Sequence, residues 1–189
     1  MKNLALKYLI RLLFIIGIIM IAKPSYFYLK GHLAQKLLES AWIKSKNNNQ
    51  VIYPWWGAKS YPIGKIRINK IDLSYIILGG DMKQGLNFGI AHIENTAKPG
   101  FSGNIGLAGH RDSFFKKLEK IHLGDIIDID SSNKTQSYKV IDIQIISPNE
   151  IKWLDQTDYN VLTLVTCYPF DYIGDAPMRY IVRAEEVMR

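Results

Sequence analysis

The only cysteine among 189 residues, Cys167, closes the run VLTLVTC (161–167) and is followed at once by Tyr168 and Pro169. A lone thiol cannot form a disulfide within its own chain. It serves as a small buried hydrophobe, a metal ligand or a nucleophile. Two other reactive side chains also stand at the ends of strand-like runs: His110 closes NIGLAGH (104–110) and Arg179 opens RYIV (179–182). A thiol of ordinary pKa is only about 3% thiolate at pH 7. An imidazolium beside it stabilises the thiolate and later supplies a proton to a leaving amine. A guanidinium donates fixed hydrogen bonds to a substrate carbonyl or a developing oxyanion. Together the three groups suit acyl transfer through a thioester. Spacing alone leaves the other uses of Cys167 open, since 57 residues separate it from His110.

Only a fold that gathers strand ends at one rim can unite them. From residue 63 the chain breaks into short β-like runs with turn residues between: IGKIRI (63–68), IDLSYIIL (71–78), DIIDID (125–130), YKVIDIQII (138–146), NVLTLVT (160–166) and RYIVRAEEV (179–187). With NIGLAGH they give seven or eight strands and few helices, which predicts a mainly β, closed or nearly closed, antiparallel-rich barrel. GGDMKQG (79–85) reads as a turn with one helical turn.

The formal charge of +7 is misleading until it is located. Residues 1–50 hold eight Lys/Arg and one acid, Glu39, whereas residues 51–189 hold sixteen of each sign. A neutral main domain excludes the clustered cations that a nucleic-acid surface needs. The basic segment contains an apolar run, Leu4 to Ala22, broken only by Lys7 and Arg11. Nineteen helical residues cover roughly 28 Å, against a hydrocarbon core of ~30 Å. No small-x-small cleavage site follows, so residues 1–24 are expected to form an uncleaved transmembrane signal-anchor. Lys2, Lys7 and Arg11 put its start in the cytoplasm and the remainder of the chain, periplasmic or on the outer face, beyond the membrane.

Residues 25–61 are expected to supply a second helix and a connector. Leu29, Leu33, Leu37 and Ala41 recur four apart, with Leu38 and Trp42 beside them, as on one helix face. KNNNQ (46–50) breaks the pattern, and YPWWGAKSYP (53–62) is an irregular connector with Trp55 and Trp56 as packing anchors.

The local strings carry a further likeness. TLVTC (163–167) resembles the Thr-Leu-x-Thr-Cys signature of the sortases, membrane-anchored cysteine transpeptidases of bacterial surfaces. LAGHRDSFF (107–115) is similar to their catalytic-histidine segment, and CYPFDYIGDAPMRYIV (167–182) to the Cys-to-Arg segment of class D-like and Gram-negative-type sortases. The resemblance runs from about Pro62 to Ala184 and implies an eight-stranded sortase-type β-barrel over residues 62–189, with short helices. It implies Cys167 as nucleophile, His110 as acid/base partner and Arg179 as the group that orients substrate and stabilises the oxyanion. Thr166 would line the substrate groove, with strand packing as its alternative role. The implied substrate is a secreted protein bearing a C-terminal sorting signal, often of the Leu-Pro-x-Thr-Gly type. Its acyl half is held as a thioester and passed to an amine acceptor. The competing readings are a non-catalytic binding module on the same barrel, with Cys167 buried, and a plain cysteine hydrolase.

Other polar residues are weighed against blander roles. His92, in FGIAHIEN ahead of Pro99 and Gly100, is expected in a loop at the edge of the groove, and His122 on the surface. Asp112 is read as a cap of the short SFFKKL helix, with orientation of His110 as its alternative role. Asp125, Asp128 and Asp130 alternate along one strand and are expected to face solvent, with a calcium site as the alternative. One cysteine and scattered histidines give no zinc spacing, so neither metal nor cofactor is expected.

Overall fold

A computed structural model describes residues 2–187, and their side chains except at 2–5, 9, 23–25, 27 and 28. The chain divides into two compact units, residues 1–36 and 37–189. Helix α1 (Lys2–Asn48) makes up the first and opens the second. Two helices were expected here. One continuous helix forms because strong formers such as Leu, Ala, Lys and Gln flank Pro24 on both sides, and a proline interrupts only its own turn of the ladder.

No membrane span is identified: among the described residues, no helix is long and apolar enough to cross a bilayer. The anchor expected over 1–24 falls partly on residues outside the described set, and Lys7 and Arg11 lie within its apolar run.

The second unit is built on eight strands: β1 (Ser60–Ile68), β2 (Leu73–Gly80), β3 (Ile90–His92), β4 (Asn104–Ala108), β5 (Ile126–Ser131), β6 (Thr135–Ile146), β7 (Val161–Tyr168) and β8 (Met178–Val187). They close in the order β1-β2-β3-β4-β7-β8-β6-β5, so the expected mainly β barrel is present. The pairs β2–β3 and β4–β7 are parallel and the other six antiparallel. Ile66, Ile68, Ile105, Leu107, Leu162, Leu164 and Val182 fill the interior. Because side chains alternate across a strand, the residues between them face outward, and this parity later separates Cys167 from Thr166.

Strand β3 escapes the sequence pattern because three residues are too few to show alternation. Before it, α2 (Met82–Phe88) is longer than the single turn expected; the Asp81 side chain caps it by accepting from the Gln84 N–H at 2.7 Å.

In the second unit, Leu38 and Trp42 of α1 pack with Ile76 and Leu78 of β2, and Trp55 and Phe88 close the patch. The buried face is Leu38–Ala41–Trp42–Ser45, whereas Leu29 and Leu33 of the expected stripe are exposed. Spacing of 3, 4 and 7 fits a helix better than strict fours, which drift around it. Of the two connector tryptophans, only Trp55 is an anchor; Trp56 is fully exposed. Asp125 also departs from expectation. It is buried, pairs with Lys70 at 2.6 Å and accepts the His122 N–H at 2.9 Å, because it precedes β5 and turns back onto the barrel.

Candidate active site

The site assembles on the outer face of β4, β7 and β8. In β7 the interior residues are Leu162 and Leu164, so Thr163, Val165 and Cys167 face outward. In β8 the interior residues are Val182 and Ala184, so Arg179, Ile181 and Arg183 face outward. Cys167 and Arg179 are directly opposed in the antiparallel β7–β8 register, a relation that brings Cβ atoms to about 4.5–5.5 Å. The guanidinium of Arg179 donates through Nη1 to the carbonyls of Ala176 and Met178, at 3.2 and 3.0 Å. Cys167 is half-buried and unpaired.

His110 arrives on the neighbouring strand. Parallel β4 pairs with β7 as far as Ala108 with Val165, and the Gly109 N–H continues the contact by donating to the Val165 carbonyl at 3.2 Å. The pairing stops there, two residues short of His110 on the one side and of Cys167 on the other. The His110 carbonyl accepts the Phe115 N–H at 2.9 Å, which closes a turn and leaves the imidazole exposed. Gly109 is required there: a Cβ would stand 2.8 Å from the ring of Phe115, which is wholly buried.

Thr166 and His92 have other work. Thr166 shares the interior side of β7, is 2% exposed, and its hydroxyl donates to the Gly109 carbonyl at 2.7 Å. It therefore holds the residue before His110, and a groove-lining role does not suit it. His92 ends strand β3 instead of lying in a loop. It is buried, with Nε2 3.0 Å from the Ala97 carbonyl and 3.2 Å from Thr96 Oγ1. Burial holds its pKa below the ordinary histidine range, against the opposing pull of the Ala97 carbonyl.

Arg111 escaped the sequence reading. Its Nη2 donates to the carbonyls of Tyr172 and Gly174, at 2.6 and 2.8 Å, tying the His110 turn to the loop between β7 and β8. A second tie joins Lys116 to Asp171 of that loop. The available signal was position: Arg111 adjoins His110, and the loop it grips joins Cys167 to Arg179. Among the described residues no cluster of three or more His, Cys, Asp or Glu could hold a metal ion.

Strands β7 and β8 and the turn after β4 of one closed eight-stranded barrel thus carry a thiol, a guanidinium and an imidazole. A family model described as the Sortase domain matches residues 66–187, and the chain belongs to the sortase family. Sortase D of Bacillus subtilis (strain 168) is 31% identical over 125 residues, which cover 66% of this chain and 63% of that protein. The chain thus spans less than two thirds of that relative. Among solved structures, a Clostridium perfringens Sortase D5 transpeptidase superposes with a TM-score of 0.69 at 28% identity, over 83% of this chain and 99% of the other. The pilus-related Sortase C of Group B Streptococcus gives 0.61 at 27%, over 67% and 68%.

Proposed function

We propose that this chain is a cysteine transpeptidase that cuts a C-terminal sorting signal from a secreted protein and joins the acyl part to an amine. The single observation that carries the reading is the register: Cys167 opposite Arg179 on β7–β8, with the β4 register running on toward His110. In the first half-reaction the Cys167 thiolate attacks the scissile carbonyl carbon. The guanidinium of Arg179 stabilises the negative charge on its oxygen. The carbon–nitrogen bond breaks, the departing amine takes the proton from His110, and a thioester remains. In the second, the acceptor amine gives its proton to His110 and attacks the thioester, and the sulfur leaves as thiolate.

Sortases are typically membrane-associated or cell-surface enzymes, and the proposal sets the barrel on the extracytoplasmic side. In the first unit Leu12, Leu13, Phe14 and Ile15 are each more than half exposed, an apolar surface suited to membrane association.

Incubation with a Leu-Pro-x-Thr-Gly-type peptide, followed by intact-mass spectrometry, tests the reading. The expected species is an acyl adduct on Cys167 that disappears on addition of an amine with release of a ligated product. A chain that forms no such adduct with any sorting-signal peptide is not a transpeptidase. An adduct resolved only by water, whatever amine is added, identifies a hydrolase.

A further inference from the structure

The loop between β7 and β8, residues 169–177, is held by two guanidinium groups, one from the residue after His110 and one from the residue opposite Cys167. Arg111 Nη2 donates to the carbonyls of Tyr172 and Gly174 at 2.6 and 2.8 Å. Arg179 Nη1 donates to the carbonyls of Ala176 and Met178 at 3.2 and 3.0 Å. Four alternate carbonyls, at 172, 174, 176 and 178, thus go in two pairs to the two arginines. The guanidinium of Arg111 also lies 5.9 Å from the centroid of the Tyr172 ring.

Among the described residues little else fixes this loop. Residues 171–175 are all exposed, Ile173 at 96%. A backbone bond within the loop, from the Tyr172 N–H to the Pro169 carbonyl, is long at 3.4 Å. The ion pair of Asp171 with Lys116 holds its first part, ahead of the carbonyls that Arg179 takes. An exposed segment with few buried contacts opens easily. A guanidinium that leans on such a segment is only as well aimed as the segment is still. A charged planar donor that takes two carbonyls at once restrains both position and orientation.

A pin for stability alone could come from any neighbouring residue. This one starts on the residue after the imidazole and ends on the loop whose far end Arg179 also holds. Both hydrogens of Arg179 Nη1 are committed to that far end. The donors left for a substrate oxygen are Nε and Nη2, and their direction is set by where the loop carbonyls stand.

We propose that Arg111 is a positioning residue: through the β7–β8 loop it fixes the aim of the Arg179 guanidinium at the developing oxyanion. The inference rests on the transpeptidase reading above. Two variants test it. Arg111→Gln removes the planar fork, and Arg111→Lys removes it while keeping the charge beside His110.

In each, amide exchange at residues 172–176 should accelerate. For a Leu-Pro-x-Thr-Gly-type peptide, kcat should fall about tenfold, with KM changed less than about twofold. In an Arg179→Lys background, where the aim is already lost, Arg111→Gln should lower kcat by less than about twofold. Unchanged exchange overturns the clamp, and faster exchange with unchanged kcat overturns its service to the reaction. The same tenfold loss in the Arg179→Lys background would show that Arg111 does not act through Arg179. Wild-type kcat in Arg111→Lys overturns the proposal as well, since charge alone would then suffice. A wild-type chain that forms no acyl adduct with any sorting-signal peptide sinks the transpeptidase reading instead, and exchange, which needs no peptide, then decides the clamp by itself.

Discussion

Strands β4 and β7 run side by side, and polar residues stand at both ends of the pair, yet the two ends treat them in opposite ways. At the covered end Asn104 and Thr163 are wholly buried and bonded to each other and to the overlying segment. At the open end the imidazole of His110 is exposed and Cys167 is half-buried. There it is the neighbours that are committed. Both polar groups of the Gly109 backbone bond to β7, Thr166 supplies one of those bonds, and Arg111 grips the β7–β8 loop. On the proposed reading, reactivity on this barrel is arranged by tying down groups that flank the reactive side chains. Stability is arranged by tying down the side chains themselves.

Removal of a group from the open end should have the largest effect. Cys167→Ala should abolish turnover, a loss of at least about 10³-fold, and leave the thermal midpoint unchanged. A clear fall in that midpoint would mean that Cys167 belongs to the packing after all. Arg179→Lys is subtler, since charge is kept while the planar fork is lost. Removal of an oxyanion donor commonly lowers kcat by about 10²-fold, and a loss near that size is expected in steady-state peptide cleavage. Undiminished rates would take Arg179 out of the site.

The residues of the open end stand out in the sequence and those of the covered end do not, for a physical reason. His110, Cys167 and Arg179 each sit at the edge of a recognisable strand, and reactive residue types are few enough to notice. The barrel followed from the number of short β-like runs with turn residues between them. Asn104 and Thr163, by contrast, look like ordinary strand residues; what they do depends on a segment about fifty residues further along folding over Asn104. His92 and Thr166 misled for the converse reason. Their types suggest a groove, but Thr166 has interior parity in β7 and His92 lies in a strand too short to reveal itself. Arg111 was hidden because its partners are backbone carbonyls, which every residue has.

His92 allows a smaller test, on stability. Its imidazole is buried beside Thr96 and the Ala97 carbonyl, and burial holds its pKa below the ordinary 6.5. The folded state therefore binds fewer protons than the unfolded chain as pH falls past about 6.5. The stabilisation is complete above that value and is lost as the pH drops through the lowered folded value. The thermal midpoint should fall between pH 7.5 and 5.5, and His92→Gln should flatten that slope. A wild-type slope that survives the substitution would assign the effect to another histidine.

Tyr138 marks the limit of the covered-end rule, because it is buried without being satisfied. The residue is 0% exposed in the barrel interior, and among the described residues its hydroxyl has no hydrogen-bond partner. Burial pushes the phenol pKa far above its usual range, and the negative charge of Glu186 adds to the shift. The group is therefore neutral at any working pH, and its desolvation is uncompensated. Tyr138→Phe keeps the ring that packs the core and removes only that oxygen, so denaturant unfolding should show stability unchanged or raised by about 1 kcal/mol. Thr163→Val makes a chemically similar deletion but should lower stability by about 1–3 kcal/mol, because it leaves Asn104 Oδ1 buried and unpaired. Opposite signs for two hydroxyl deletions in one barrel would show that pairing, more than polarity, decides what a buried polar group contributes; equal losses would show that the hydroxyl of Tyr138 has a partner.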